Sequence, residues 1–233
     1  MPSTYPASTG ATAKIMRHTH APGTQRDTGR IEAFSDGVFA IAMTLLILEI
    51  RVPQPPSPTE PVDLTRALLD LWPSYLAYVL SFVTIGIYWA RHHYIFKLYT
   101  NTDHALNLLN LLFLMCICFL PFPTEVLARF MHDGANQKVA ATFYVVSLVL
   151  PAATWTTAWL YASRGYRLID RHLSREFVRR LTIQYLVTVA LYAGAALASL
   201  FSFRMGLAIC VGLTLLYLLP PRKPVYVHEA QAA

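Results

Sequence analysis

Residues 30–50 read RIEAFSDGVFAIAMTLLILEI, an apolar run that carries a carboxylate, Asp36, inside it. About 20 residues of helix cross a hydrocarbon core of about 30 Å, so this stretch is long enough to span a membrane. A carboxylate left unpaired within the bilayer is costly in free energy. The stretch therefore predicts a membrane-spanning helix whose acidic side chain has a polar partner on another helix.

The composition of the whole chain favours lipid over water as its surroundings. Its 233 residues are 55% hydrophobic and only 14% charged, and the mean hydropathy is +0.41. The formal net charge of +6 does not indicate nucleic-acid binding, because the basic residues lie at the ends of apolar runs, as membrane topology predicts. We expect no nucleic-acid partner.

Six apolar segments of membrane-spanning length follow one another along the chain. The last two are separated only by Arg204 and together are too long for one crossing, so we expect a tight hairpin around residues 202–206. The predicted fold is all-α, a polytopic membrane protein with six transmembrane helices in a domain of residues 30–221. Residues 1–29 are expected to form a disordered cytoplasmic segment, and residues 222–233 a cytoplasmic tail. The predicted spans are residues 31–50, 71–90, 105–124, 139–163, 181–203 and 205–221.

Lysine and arginine are distributed unevenly between the two sides of these spans. With a cytoplasmic N-terminus, 14 of the 19 basic residues lie in inside segments and 5 in outside segments. The positive-inside rule then places both termini in the cytoplasm, and we expect a multi-pass protein of the cell (plasma) membrane. Residues 164–180 are rich in arginine, which suits anionic lipid head groups or, in the interpretation that we favour, a plain topology signal.

A helical wheel at about 100° per residue divides the first span into two faces. Asp36 points roughly 120° away from a narrow stripe, and Glu32 lies on nearly the same side as Asp36. The stripe begins with an arginine and then carries mostly apolar side chains and one hydroxyl. Its members, which fall within about 40° of one line, are Arg30, Phe34, Gly37, Ile41, Thr44 and Leu48.

The acidic face needs a partner at its own depth in the membrane. Asp36 lies six residues in from Arg30, about 9 Å along a helix. Polar side chains at that depth occur at the end of the second span and the start of the third: Trp89, His92, His93, His104, Asn107 and Asn110. A cluster of Ser35, Asp36, Trp89 and a histidine would satisfy all of its polar groups. We favour a structural clasp over a proton relay or an ion ligand, because buried polar groups are usually present in satisfied hydrogen bonds.

The spans show no metal site and no catalytic constellation. His92 and His93 are adjacent and project from different helical faces, and the spans contain no His-x₃-His spacing, so we expect no metal. No Ser–His or Cys–His pairing, phosphate loop or pair of inner carboxylates stands out. Neither an enzyme nor a cofactor is predicted.

Motifs in the first three spans resemble one known family. They are R-x-x-x-F-S-D at residues 30–36, SF at Ser81 and Phe82, W-x-x-H at Trp89 and His92, and LPFPT at residues 120–124. On these residues the chain resembles the transmembrane protein 175 family, potassium channels of endolysosomes and of prokaryotes. One copy of the first motif and one set of six spans are similar to the prokaryotic, single-repeat type.

The resemblance implies a homotetramer in which the first helix of each copy lines a central pore. By position, Ile41 is then a hydrophobic constriction, Thr44 a hydroxyl layer beside a transient K⁺, and Leu48 a further apolar ring. The residues that match the family's polar network behind the pore helix are Arg30, Phe34, Ser35, Asp36, Trp89 and His92. The implied partners are other copies of the chain, the lipid bilayer and K⁺, with no cofactor.

The function that we expect is passive flux of K⁺ through a cation channel without a TVGYG filter. TIGIY, residues 84–88, is similar to that filter but lies in an apolar run whose own helix would use its carbonyls. The alternative is a proton-coupled transporter or proton-conducting protein that uses Asp36 and His92 or His93. Transporters usually carry matched broken helices, which this sequence lacks. An intramembrane enzyme or a structural membrane protein is a further alternative.

Overall fold

The computed structural model describes residues 25–54, 63–220 and 223–226, and this part of the chain is almost entirely helical. Two isolated bridges, Tyr99 with Ile169 and Leu173 with Tyr226, are the β pairings in these residues. The all-α fold class is therefore confirmed. The helices are α1 (Gln25–Leu45), α2 (Leu64–Asp70), α3 (Trp72–Phe96), α4 (His104–Phe119), α5 (Pro121–Phe130), α6 (Gln137–Ser163), α7 (Arg175–Phe201) and α8 (Phe203–Tyr217); 3₁₀ turns at Leu46–Glu49 and Arg164–Tyr166 extend α1 and α6.

Five helical stretches of the described chain are long and apolar enough to cross a membrane. They are Thr28–Glu49, Trp72–Phe96, His104–Phe130, Gln137–Tyr166 and Arg175–Phe201. Each overlaps one of the first five predicted spans. The sixth predicted span coincides with α8, whose 15 residues are fewer than a perpendicular crossing of about 20 needs. A sixth crossing therefore stays a prediction.

The ends of the predicted domain differ from the helices in detail. α1 begins at Gln25, five residues before the predicted boundary at residue 30, and residues 1–24 of the predicted disordered segment lie outside the described residues. Within the predicted tail, the Ser174 N–H donates to the carbonyl of Val225 at 2.9 Å. The described part of the tail thus packs against the start of α7 rather than extending freely.

The third predicted span is interrupted near its end, just before Pro121. α4 ends at Phe119 and α5 begins with Pro121, which has no N–H to donate and is well suited to the first turn of a helix. The break brings Thr124 to α3, where its Oγ1 lies 2.7 Å from the Oγ of Ser81. Ser81 Oγ also lies 3.2 Å from the hydroxyl of Tyr144 on α6. The SF and LPFPT motifs therefore meet in one buried hydroxyl cluster.

The bundle places its first and seventh helices on different flanks. α1 packs on α3 and α4, whereas α7 packs on α6 and α8. α6 lies between these layers, and its Tyr144 and Trp159 are fully buried. α7 and α8 form the predicted hairpin: Ser202 is extended, Gly206 lies against Ser199, and the hydroxyls of Thr188 and Tyr217 contact each other.

Asp103 joins three segments at the end of the bundle where α3 stops. One carboxylate oxygen accepts the Leu106 N–H at 2.9 Å and caps α4, and the other accepts the Tyr161 hydroxyl at 2.7 Å and lies 3.0 Å from Arg167. Partial burial tends to raise the pKa of Asp103, but these donors and the arginine charge outweigh it and lower the pKa below its ordinary value. The carboxylate is therefore charged at neutral pH.

Candidate functional site

The described part of the chain leaves the predicted stripe of α1 exposed. Phe34 is 55% exposed, Ile41 60% and Leu48 69%, and Arg30, Gly37 and Thr44 are exposed as well. The opposite side of the helix is almost fully buried, at Ser35, Phe39, Ala42 and Leu46. A helix in a membrane protein that keeps one continuous face free of intrachain contacts has that face available to lipid, to another copy or to a pore.

The geometry of the stripe changes at its outer end. The chain passes from α-helix to a 3₁₀ turn at Leu46, where each residue advances about 120° instead of about 100°. Leu48 is consequently rotated by about 60° from the position on a uniform wheel, although it is still exposed. Thr44 keeps its place, and its hydroxyl donates to the carbonyl of Ile41 at 2.9 Å. Both lone pairs of that hydroxyl oxygen are therefore free to accept hydrogen bonds.

Asp36 has a single well-defined partner on α3. The indole N–H of Trp89 donates to Asp36 Oδ1 at 2.9 Å, and the carboxylate is half-buried. An indole nitrogen is only ever a donor, so this contact satisfies the carboxylate but has no lone pair through which to pass a proton onward. The predicted contact between Asp36 and Trp89 is present.

A second set of polar contacts joins α1, α3 and α4 through Asn110. Ser35 uses its one hydroxyl proton on the carbonyl of Ile31 at 2.8 Å, so the Asn110 amide nitrogen must donate to Ser35 Oγ at 3.1 Å. The amide oxygen is then the acceptor for His92 Nε2–H at 3.0 Å. In the neutral ring Nδ1 therefore carries the lone pair, and this buried atom has no hydrogen-bond partner among the described residues.

Ser35, Asp36, Trp89 and a histidine are all hydrogen-bonded, but in separate sets of contacts rather than in one cluster, and one set includes Asn110. Asp36 bonds Trp89, Ser35 reaches His92 through Asn110, and a third contact joins His93 Nδ1 to the Glu32 carboxylate. Adjacent residues on a helix point about 100° apart, so Ser35 and Asp36 face different neighbours.

Two other residues assigned to the polar network lie on the uncovered side of α1. Arg30 and Phe34 are both exposed, and no hydrogen bond in the described part of the chain connects either to the buried contacts. Both also belong to the stripe, so the structure places them with Ile41 rather than with His92.

Among the described residues no direct hydrogen bond joins Asp36 to a histidine. Asp36 is hydrogen-bonded to the indole of Trp89, His92 to the side-chain amide of Asn110, and His93 to the carboxylate of Glu32. Within those residues no group of three or more His, Cys, Asp or Glu side chains is close enough to hold a metal ion.

Sequence reasoning missed the role of the buried hydroxyl cluster. Ser81 and Thr124 belong to motifs in the sequence, but Tyr144 stands in the fourth span without any motif to mark it. Asn110 lay at the predicted depth, yet only the crossing of α1 and α4 shows that it bridges Ser35 and His92.

Apolar helices of spanning length, packed around a largely apolar core that includes some hydrogen-bonded polar side chains, define a polytopic helical membrane protein. Comparison with known proteins then identifies the family. The family model described as "Endosomal/lysosomal potassium channel TMEM175" matches residues 30–121. A potassium channel of Chamaesiphon minutus is 43% identical over 196 residues, which cover 84% of this chain and 95% of that protein. The chain belongs to the TMEM175 family.

Solved structures and animal relatives agree with this membership. The crystal structure of a lysosomal potassium-selective channel TMEM175 homolog from Chamaesiphon minutus superposes with a TM-score of 0.75 at 41% identity, over 83% of this chain and 97% of that one. The human endosomal/lysosomal proton channel TMEM175 is 35% identical over 185 residues, which are 74% of this chain and 37% of the human protein.

Proposed function

We propose that the protein is a potassium-permeable cation channel in which α1 from each of four copies surrounds a central pathway. The observation that carries this proposal is the uncovered face of α1, which is mainly apolar and lies opposite a face bonded into its own subunit. The face of the helix that bonds to α3 and α4 fixes its position, and the opposite face is free to line a pathway. The potassium-channel names of the bacterial relatives support the choice of ion.

Ile41 and Leu48 form the apolar constrictions of this pathway, and Thr44 forms a ring of hydroxyls between them. A ring of isoleucine side chains cannot replace the water around a cation, so it gates by closing or by dewetting. Hydroxyl oxygens offer a weak field, which suits the easily dehydrated K⁺ better than Na⁺. No TVGYG-type filter is involved, because Thr84 and Gly86 lie inside α3, where carbonyls bond along the helix.

The first test measures passive K⁺ flux in reconstituted vesicles. Ile41→Ala shortens the side chain, which widens the constriction, and is expected to raise the resting K⁺ leak several-fold. The matched control is Leu197→Ala on α7, which truncates a side chain of similar exposure, 62% against 60%, on a different flank. An unchanged leak in Ile41→Ala, or an equal rise in both variants, would remove Ile41 from the pathway.

A second measurement separates the stripe from the contacts behind it. Thr44→Ala removes the hydroxyl layer and is expected to bring the K⁺ and Na⁺ permeabilities closer together, measured as the reversal potential with the two ions on opposite sides. Asp36→Asn changes only the side bonded to Trp89 and is expected to leave that potential nearly unchanged. The reverse pattern would place the ion beside Asp36.

Proton conduction is the second candidate, favoured by the buried His92 Nδ1, which has no partner within the described residues, and by the proton-channel name of the human relative. His92→Gln keeps a hydrogen-bond donor for Asn110 but cannot titrate. If protons move through His92, this variant abolishes proton flux measured with a pH-sensitive dye. If they move with water along the stripe, the flux is kept and Ile41→Ala raises it.

A further inference from the structure

A large groove opens at one end of α7, away from the stripe of α1. It has a volume of about 1120 Å³ and lies between the last turns of α3, the first half of α7 and the residues around the end of α8. α7 packs on α6 and α8, whereas α1 packs on α3 and α4. The groove therefore lies on a different flank from the proposed pathway.

The mouth of the groove is basic and its floor is apolar. Four cationic side chains and one carboxylate line the mouth. The carboxylate, Glu176, already forms an ion pair with Arg180. The floor continues along α7 through Ile183, Val187 and Leu191. The eight helical steps from Ile183 to Leu191 cover about 12 Å, close to the depth of one leaflet of a core about 30 Å thick. The cationic lining consists of Arg91, Arg175, Arg180 and Lys223.

Arg91 carries a charge for which the described part of the chain supplies no ion-paired carboxylate. Its guanidinium lies 4.8 Å from the centre of the Tyr217 ring, and one terminal N–H donates to the Tyr217 carbonyl at 3.4 Å. Its Nε is buried and has no hydrogen-bond partner among the described residues. No carboxylate in that part of the chain forms an ion pair with Arg91, Arg175 or Lys223. A cation at the edge of hydrocarbon is costly unless an anion meets it.

We propose that this groove binds an anionic phospholipid of the cytoplasmic leaflet. Its phosphate lies between Arg91, Arg175 and Lys223, and one acyl chain follows Val187 and Leu191. The proposal rests on the proposed orientation, with the start of α7 on the cytoplasmic side, but not on which ion the protein conducts. The apolar floor, continuous with the basic mouth, favours a lipid over free phosphate, which would use only the mouth.

The head-group test counts phospholipids retained by the purified full-length protein in native mass spectrometry, with phosphatidylglycerol and phosphatidylcholine supplied in equal amounts. Wild type is expected to retain phosphatidylglycerol preferentially. The double variant Arg175→Gln with Lys223→Gln is expected to lower that preference by a factor of about 10 to 25, since each basic residue beside an anionic lipid contributes about a factor of five.

The matched control removes the same charge from the same end of the bundle, outside the groove. Arg171→Gln with Arg179→Gln replaces two exposed arginines that do not line it and is expected to leave the preference unchanged. An equal fall in both double variants would mean that the arginine-rich segment attracts anionic lipid only through its overall charge, and the proposed site would be wrong.

The acyl-chain test fills the floor without changing charge. Val187→Trp is expected to reduce retained phosphatidylglycerol several-fold, whereas Leu197→Trp, further along α7 and outside the groove, is expected to have no effect. Competition by millimolar inorganic phosphate, with no effect of Val187→Trp, would overturn the lipid assignment in favour of a simple anion site. Because lipid retention is measured without ion flux, failure of this proposal and failure of the channel proposal are distinguishable.

Discussion

At the scale of single residues, Asn110 decides how the back of α1 is held. A primary amide offers both a donor and an acceptor, so this one side chain satisfies the Ser35 hydroxyl and the His92 ring at once. A hydroxyl or an aliphatic residue at the same place could serve at most part of that arrangement. The helix is thereby fixed against α3 and α4 by buried polar contacts that do not reach the stripe.

Removing this amide is expected to destabilise the bundle. Asn110→Leu leaves the buried Nε2–H of His92 without its acceptor, at about 1–3 kcal/mol, whereas Ser35 keeps its hydrogen bond to the carbonyl of Ile31. Asn107→Leu is the matched control on the same helix, because the side-chain oxygen of Asn107 has no partner among the described residues. Thermal unfolding in detergent is expected to show a clear fall in midpoint for Asn110→Leu and little change for Asn107→Leu. Equal falls would mean that the bridge contributes no stability.

At the scale of elements, the hairpin of α7 and α8 depends on one close approach. A Cβ at Gly206 would lie 2.5 Å from the Cβ of Ser199, closer than packed carbon atoms approach, and 3.0 Å from the carbonyl oxygen of Ala195, which is a tight contact. The absence of a side chain thus lets the two helices touch directly after the extended residue Ser202. Farther from the turn, Thr188 and Tyr217 contact each other through their hydroxyls.

Glycine substitutions in α8 test this packing. Gly206→Ala forces the two helices apart and is expected to lower the free energy of unfolding by about 1–3 kcal/mol, as overpacking typically does. Gly212→Ala, in the same helix, adds a methyl group with no atom within 4 Å and is expected to be neutral or slightly stabilising. The stability of both variants is measured by thermal unfolding in the same detergent. A neutral Gly206→Ala would show that the hairpin adjusts without loss.

At the scale of the whole molecule, one chain does not enclose a pathway. The stripe of α1 faces outward, and the hydrogen bonds that Ser35 and Asp36 make to other helices lie on a different side of α1. Closed rotational symmetry is the usual solution when a protein must surround an axis with copies of one surface. We propose that four copies do so here, with the lipid groove of each on the outer flank.

Native mass spectrometry of the detergent-solubilised protein is expected to show an assembly of four 26.2 kDa chains. Leu197→Ala, on the flank of α7, is expected to keep that mass, because this flank is not part of the proposed contact between copies. A predominant monomer or dimer under conditions that preserve ion flux would contradict the four-fold arrangement.

The local pattern of the sequence was sufficient to place the first five apolar helical stretches and the exposed stripe, but not the division of the third stretch into α4 and α5. Hydropathy identifies apolar segments because a span must satisfy its backbone within itself, which is a property of consecutive residues. The stripe follows from the nearly constant rotation per residue of an α-helix. The predicted angular position is inaccurate at Leu48, where the chain adopts 3₁₀ geometry, although Leu48 is still exposed. The hairpin was predictable for the same reason, since its length and Arg204 are local features.

Contacts between segments distant in the chain required the tertiary structure. Asp36 bonds a residue 53 positions away, and Ser35 bonds Asn110, 75 positions away. Several polar residues lay at a suitable depth, and only the crossing of the helices selects among them. The groove at α7 likewise joins side chains from three parts of the chain. By itself the sequence determined which residues form apolar helices and which of them share a face; the packing of those helices decided each polar partner, because hydrogen bonds depend on distances between elements.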